Sequence, residues 1–436
     1  MRAPSADLEV GDTVELAIEK AVYRGRGLGR LAGRVVFVPR SYPGDRVRAR
    51  VAEVHAGYAE AQLLEVVERA AARRPAPCPQ GPGCPGCTYQ EVTYPEQLRL
   101  KEAVLRESLA RAGAGWDGPI TVHGSPERGW RVRATLHIAA AERGPLRIGF
   151  RREGSHRILD FGGCQQLSEP MNGVVPQLRE ALGRRRGLAA RLRAIDLLES
   201  PDGSQRVAAL ATTLRPAEAP QLAGIAGQVP GLTGFGVLCH PQRMQWLHGS
   251  PQVEARVAGL VLRAHVASFF QANRFLLEPL VATVTELVPA ADGRILDLFS
   301  GVGLFSLPLA ARHGGEVTAV EHGGTAAEDA RENARRNRLE GIHVMAEDVA
   351  TALAAVKAEP GERVVLDPPR TGAGPAVVDA VAARSPQAVV YVSCDPPTLG
   401  RDLARFAAAG YRPDAVHLFD LFPDTFHLEA VARLRR

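Results

Sequence analysis

Leu296-Asp297-Leu298-Phe299-Ser300-Gly301-Val302-Gly303 sits where the grammar of this 436-residue chain changes. Arg294 to Phe299 reads as a buried first strand, Ser300 to Gly303 as a tight glycine turn, and Leu304 to His313 as the next helix. Further apolar runs at Glu316 to Val320, Ile342 to Met345, Arg363 to Leu366 and Val389 to Val392 are separated by helical stretches. Strand and helix in alternation from about residue 268 predict a parallel, doubly wound α/β sheet. Such sheets bind ligands beyond the carboxyl ends of their strands, so the residues that close each run are the functional candidates.

The glycine turn alone is a weak signal. A dinucleotide fingerprint has a third glycine where this chain has Ser306, so a diphosphate ligand is disfavoured. Asp297 points the same way, because a carboxylate beside the turn repels phosphate but suits a ligand carrying an ammonium and a sulfonium. S-adenosylmethionine has those charges. Glu321 closes the second strand, where a carboxylate can accept both ribose hydroxyl hydrogen bonds, and Asp348 falls near the adenine edge. The predicted fold class is a Rossmann-like, class I S-adenosylmethionine-dependent methyltransferase domain.

Two further strand ends carry the chemistry. Arg363 to Leu366 runs into Asp367-Pro368-Pro369-Arg370, and Val389-Val390-Tyr391-Val392-Ser393 delivers Cys394 to the turn Asp395-Pro396-Pro397. Amino-group methyltransferases follow the two prolines with a stacking aromatic residue; Arg370 takes that place here, which leaves exocyclic-nitrogen methylation the second reading within the fold. Carbon 5 of uracil is a poor nucleophile, so methylating it requires electrons pushed into the ring. A thiolate adding to C6 supplies them, and a base must later remove the C5 proton so that the thiol can leave. Cys394 is the candidate nucleophile and Glu429, in Phe422-Pro423-Asp424-Thr425-Phe426-His427-Leu428-Glu429, the candidate base.

These blocks together resemble the signature blocks of the RNA 5-methyluridine methyltransferase family. The resemblance spans nearly the whole chain and implies the thiol and glutamate roles above. It also implies cofactor contacts from Gln271, in Ser268-Phe269-Phe270-Gln271-Ala272-Asn273, and from Phe299, Glu321, Asp348 and Asp367, with Phe269 near the target base. The chain departs from the family pattern twice. Leu304 replaces a frequent Asn, and Asp395 replaces the usual Asn after the catalytic cysteine, where a negative charge raises the thiol pKa unless it is turned away or paired.

Upstream, Val10 to Leu16 and Gly33 to Pro39 are short β-like runs separated by the turn Arg24-Gly25-Arg26-Gly27-Leu28-Gly29-Arg30. They predict a small closed barrel. This stretch resembles a TRAM domain, an OB-like barrel found on RNA-modifying enzymes. A helix over Tyr94 to Ala112 and a mixed α+β stretch from about 120 to 265 come next. The predicted division is a barrel at 1–72, a central domain at 73–266 and the methyltransferase domain at 267–436, with helix 94–112 a candidate to pack on the last of these.

Cys78, Cys84 and Cys87 form a C-x₅-C-x₂-C run, and Cys164 lies downstream in Phe161-Gly162-Gly163-Cys164. Four thiolates can hold zinc or a [4Fe-4S] cluster, and spacing alone favours zinc. The resemblance implies the iron-sulfur cluster, because ribosomal RNA members with a TRAM domain carry this arrangement. Cys239 has no partner motif and reads as core.

No stretch approaches the roughly 20 apolar residues of a membrane span, and the start lacks a signal peptide's apolar core, so a cytoplasmic protein with no membrane partner is expected. Six cysteines in such a chain argue for metal or catalytic use rather than disulfides. Net charge is +5 and the positive residues are almost all Arg, with Lys only at 20, 101 and 357; clusters such as Arg151-Arg152 and Arg184-Arg185-Arg186 are ordinarily solvated surface. The resemblance implies an RNA partner, 23S ribosomal RNA in particular, and a monomer. A transfer-RNA T-loop uridine is the close alternative substrate. A non-catalytic rRNA-binding or assembly factor is the remote one, against which Cys394 and Glu429 argue.

Overall fold

The computed structural model describes residues 8–78, 80, 83–140, 145–240 and 243–436. Its first unit is a closed barrel of β1 (Thr13–Val22), β2 (Arg26–Leu31), β3 (Arg34–Pro39), β4 (Arg46–Val54) and β5 (Tyr58–Glu68), in the order β1-β2-β3-β5-β4. Alternation decides what fills it. On β4 Val47, Ala49 and Val51 point inward to meet Leu16, Ile18, Val36, Val38, Ala59 and Ala61. Gly29 lets two barrel strands close on each other, since a Cβ there would lie 2.3 Å from the Ala17 carbonyl oxygen.

After α1 (Tyr94–Ala112) and the short strand β6 (Thr121–His123) comes the central sheet. Its strands are β7 (Arg133–Ala139), β8 (Arg147–Arg151), β9 (Ile158–Asp160), β10 (Leu192–Glu199), β11 (Arg206–Thr212), β12 (Gly234–Cys239) and β13 (Arg243–Gly249), ordered β13-β12-β11-β10-β7-β8-β9. One face packs on α2 (Glu169–Gly183), the short α3 (Arg186–Ala189) and the 3₁₀ helix Pro216–Gln228, through Leu136, Leu178, Ile195, Leu210, Leu222 and Phe235. Cys239 is buried in that core, as its sequence context suggests.

The third unit is a doubly wound sheet. Its strands are β16 (Ile295–Leu298), β17 (Val317–Val320), β18 (Ile342–Met345), β19 (Arg363–Leu366), β20 (Ala388–Ser393), β21 (Arg412–Phe419) and β22 (Glu429–Arg435), preceded by the hairpin β14 (Gln252–Val257) and β15 (Leu260–His265). The order is β18-β17-β16-β19-β20-β22-β21-β6; β16 to β20 run parallel and β22 is antiparallel to β20. Helices α4 (Leu277–Leu287), α5 (Ser306–His313), α6 (Gly324–Arg336), α7 (Val349–Ala355), α8 (Pro375–Ala383) and α9 (Pro396–Ala408) flank it.

Three early segments join this unit. β6 pairs with β21, and the β14–β15 hairpin shares a core with α4 and α5. Helix α1 crosses α9 so tightly that a Cβ on Gly400 would lie 2.8 Å from the Ser108 carbonyl oxygen. Its apolar side, Leu105 and Leu109, is buried in the catalytic core, and Lys101 forms a buried ion pair with Asp420 at 2.5 Å. Strand periodicity cannot reveal such pairings, because β6 has three residues and its partner lies almost 300 residues away.

Candidate active site

The strand register gathers the predicted residues on one edge. Leu298 lies beside both Val320 and Leu366, and Leu366 lies beside Tyr391, so β16, β17 and β19 end together while β20 runs on to Ser393. The segments leaving these strand ends are therefore adjacent: the Phe299 to Gly303 turn, Glu321, Asp367 and Cys394. Strand β22 enters antiparallel at the same edge. Ser393 faces Ala430, the last pair of the ladder, and Cys394 and Glu429 adjoin it, close enough that the Glu429 charge acts on the thiol.

Around the thiol the structure is tightly specified. Asp395 caps α9, its side chain accepting the Thr398 N–H at 3.0 Å, with prolines on the first turn. Cys394 thus sits one residue before a helix N-terminus, where the dipole favours a thiolate. The second carboxylate oxygen of Asp395 accepts the phenol proton of Tyr23, which reaches in from the barrel. The charge that departs from the family pattern is therefore paired, by a residue that no motif announces.

Burial dominates the titration of the edge. The Cys394 thiol is pushed up to about 12, first by burial, then by Glu429 and Asp367, while Arg370 acts in the opposite direction. Burial holds the Glu429 carboxyl well above the usual range, with Asp367 adding to it and Arg370 again opposing. Asp297 and Asp367 are both raised to about 7 by burial. An edge with three elevated carboxyls and one facing guanidinium suits a cationic ligand, which would draw the acids into their charged forms.

The edge fits S-adenosylmethionine on its own atoms. Among the described residues, Asp297 Oδ1 and Ser300 Oγ are buried without partners, and the position of a Cβ on Gly301 is open space. Glu321 accepts the Gly301 N–H at 2.9 Å and the Gly323 N–H at 2.6 Å, which fixes its carboxylate while lone pairs remain for hydroxyl donors. Asp348 caps α7 through the Ala350 N–H at 2.9 Å. Gln271 is buried, whereas its neighbour Phe269 is 66% exposed, an apolar ring free to meet a base. Leu304 is core, packed near α4 and α5.

The cysteine loop adjoins the Phe422 to Glu429 segment, where the Tyr89 N–H donates to the Asp424 carbonyl. Cys78, Cys84, Cys87 and Cys164 share a pocket, since Cys78, Cys84 and Cys164 all push up the Cys87 thiol behind its burial. Gln166 Nε2 donates to Cys87 Sγ at 3.1 Å. Arg131 is half-buried, donates to the Arg133 carbonyl at 2.8 Å and to the Gln166 Oε1 at 3.1 Å, and among the described residues has no carboxylate partner; the charges acting on it are those of Cys164, Cys87 and Cys84. Burial pushes the Cys84, Cys87 and Cys164 thiols up, so holding them as thiolates would take a bound positively charged group in addition to the Arg131 guanidinium. No set of three such ligands is closed into a ready ion cage among the described residues.

One unpredicted residue ties the loop to the base. Asp424 accepts from Arg74 at 2.8 Å, Gln97 at 2.9 Å and Gln165 at 3.0 Å, and its carbonyl accepts the Tyr89 N–H at 2.8 Å. It has a positive φ of 66°, and Glu429 lies five residues on. The only sequence hint is its place inside the Phe422 to Glu429 block.

A class I methyltransferase fold with a thiol and a carboxyl gathered at one strand edge has the groups that methylation at carbon requires. Residues 245–436 match the tRNA (Uracil-5-)-methyltransferase family and residues 7–64 match the TRAM domain. A 23S rRNA (uracil(1939)-C(5))-methyltransferase of Pseudomonas fluorescens is 35% identical over 98% of this chain and 92% of its own length. An uncharacterized RNA methyltransferase of Gloeobacter violaceus is 32% identical over 99% and 98%. The crystal structure of Pyrococcus abyssi tRNA (uracil-54, C5)-methyltransferase in complex with S-adenosyl-L-homocysteine superposes with a TM-score of 0.77 and 26% identity, covering 97% of this chain and all of that one. The chain belongs to the RNA uracil-C5 methyltransferase family, TRAM domain included. It is an S-adenosylmethionine-dependent RNA (uracil-5-)-methyltransferase.

Proposed function

We propose that the chain methylates C5 of a uridine in 23S ribosomal RNA, with Cys394 as nucleophile and Glu429 as base. The Cys394 thiolate adds to C6 of the flipped-out base, and the ring electrons move to C5 and O4 as an enolate. S-adenosylmethionine, when bound, supplies an electrophilic methyl group. Glu429 then takes the C5 proton, the C6–S bond breaks and the thiolate is regenerated. One C5–H bond has become C5–CH₃ and one proton is released. Asp367 and Arg370 set the charge around both groups, and Gln271, Phe299, Glu321 and Asp348 hold the cofactor. Phe269 packs on the base.

The observation that supports this reading is that Cys394 and Glu429 directly follow and precede the Ser393–Ala430 pair, and Glu429 is the leading charge acting on the thiol. The ribosomal substrate rests on near full-length similarity to a 23S rRNA enzyme. The Pyrococcus structure favours a transfer-RNA uridine as the second reading, since that neighbour acts on tRNA. Cys78, Cys84, Cys87 and Cys164 hold a [4Fe-4S] cluster in this account, with Arg131 beside it. It staples the loop that Asp424 connects to the base and takes no part in methyl transfer. The domain division is 1–72, 73–266 and 267–436, with α1, β6 and the β14–β15 hairpin lent to the catalytic unit.

RNA containing 5-fluorouridine tests the chemistry, because fluorine cannot be removed as a proton and the covalent state is trapped. A denaturation-resistant protein–RNA band is expected with wild type. Methyl mapping of ribosomal and transfer RNA from a deletion strain then separates the two substrates; a lost 5-methyluridine in tRNA alone would overturn the ribosomal reading.

A further inference from the structure

The central sheet leaves one face partly uncovered. On β7 the core-facing residues are Ala134, Leu136 and Ile138, so Arg133, Thr135 and His137 lie on the opposite face. The β14–β15 hairpin covers that face at β11, where Val253 and Val266 pack on Leu198, Val207 and Ala209. Beyond β7 the face opens into a cleft of about 700 Å³ lined by His137, Arg147, Arg151, His156, Arg157 and Arg193.

Two observations bear on what this cleft binds. This chain gives many exposed arginines a carboxylate, as at Arg405 with Asp379 and Arg433 with Asp414. Among the described residues, Arg147, Arg151, Arg157 and Arg193 form no ion pair, while nearby acids are engaged elsewhere: Asp196 accepts from Thr135 at 2.5 Å and Asp160 pairs with Arg179 at 3.0 Å. Strand β7 also links the cleft to the loop beside the active site. Arg133, at the near end of β7, donates to the Ser268 and Val266 carbonyls and so holds the loop that presents Phe269. From Arg133 to Ala139 the strand spans about 20 Å.

We propose that this cleft is a second RNA contact surface, in which Arg147, Arg151, Arg157 and Arg193 clamp phosphates of the substrate strand about 20 Å from the target base. It rests on the RNA methyltransferase reading above. Guanidinium groups without carboxylate partners match phosphate geometry and give position without base sequence. Thr135 and His137 line the path between clamp and base.

The test compares wild type, R147Q/R151Q and a control, R405Q/R433Q, on an unmodified 23S rRNA transcript made in vitro. The cleft variant should bind about 10-fold or more weakly, and its slope of log affinity against log salt should fall by roughly 1.4 to 1.8, the value for two lost phosphate contacts. S-adenosylhomocysteine binding and thermal melting should match wild type, and the control should keep wild-type RNA affinity. Equal RNA affinity and slope in R147Q/R151Q and wild type would overturn the proposal in favour of an acidic protein segment as occupant. With wild type still trapped by 5-fluorouridine RNA, that result would leave the catalytic reading standing; a wild type neither bound nor trapped would overturn both.

Discussion

The phenol of Tyr23, on the turn after β1, donates a hydrogen bond to Asp395, the residue next to Cys394. The barrel thus touches the catalytic turn directly. That hydrogen bond draws charge away from a carboxylate which otherwise opposes thiolate formation.

Tyr23→Phe should therefore make the thiolate harder to form. A hydrogen bond to a charged group is worth about 1.5–3 kcal/mol, so a loss of kcat/KM of about tenfold near neutral pH is expected, shrinking as pH rises. The check is a pH–rate profile: the rising alkaline limb should move to higher pH. An unchanged profile would show that Asp395 does not act on the thiol.

Glu429→Gln should separate the two halves of the reaction. Addition of Cys394 needs no base at C5, while its release does. Turnover should fall by about 10²–10⁴-fold, and a covalent protein–RNA species should accumulate with ordinary uridine RNA on a denaturing gel.

The buried Lys101–Asp420 pair pins α1 beside the strand that leads to Glu429. Lys101→Met leaves Asp420 without a counter-charge, at a cost of about 3–5 kcal/mol, read as a lower melting temperature. Adding Asp420→Leu should recover most of that loss, because a packed apolar pair replaces a packed ionic one.

Asp297 and Asp367 give a proton signature. Their folded values of about 7 stand above the ordinary carboxylate value of about 3.9. The folded state binds more protons, so the stability these two groups contribute is complete below about pH 4 and is lost as pH rises towards 7. A cation at the site reverses the preference. At pH 6, calorimetry in buffers of different ionisation heat should show S-adenosylmethionine releasing more protons than S-adenosylhomocysteine, which lacks the sulfonium; equal release would mean that neither carboxyl faces that charge.

The gathering at the strand edge is legible in the sequence because Phe299, Glu321, Asp367 and Cys394 each follow an apolar run. Strand ends are visible in sequence, and a parallel sheet brings them together, as the Leu298, Leu366 and Tyr391 register does. Tyr23, Asp424 and Arg131 are not legible. Tyr23 and Asp395 are 372 residues apart, and Asp424 joins positions from Arg74 to Gln165. Such contacts depend on how units dock, which no local period encodes. Helix α1 is legible from Tyr94 to Ala112 by its own pattern and ends on a left-handed glycine, Gly113. Sequence does not assign the hairpin β14–β15 to the catalytic unit, since its alternation only says that one face is buried, not against what.

The most direct measurement is trapping with 5-fluorouridine RNA by wild type and Cys394→Ser, followed by methyl transfer on uridine RNA. Wild type should give the denaturation-resistant adduct and the serine variant neither adduct nor methylated product. Methylation at a wild-type rate by Cys394→Ser would contradict the covalent mechanism.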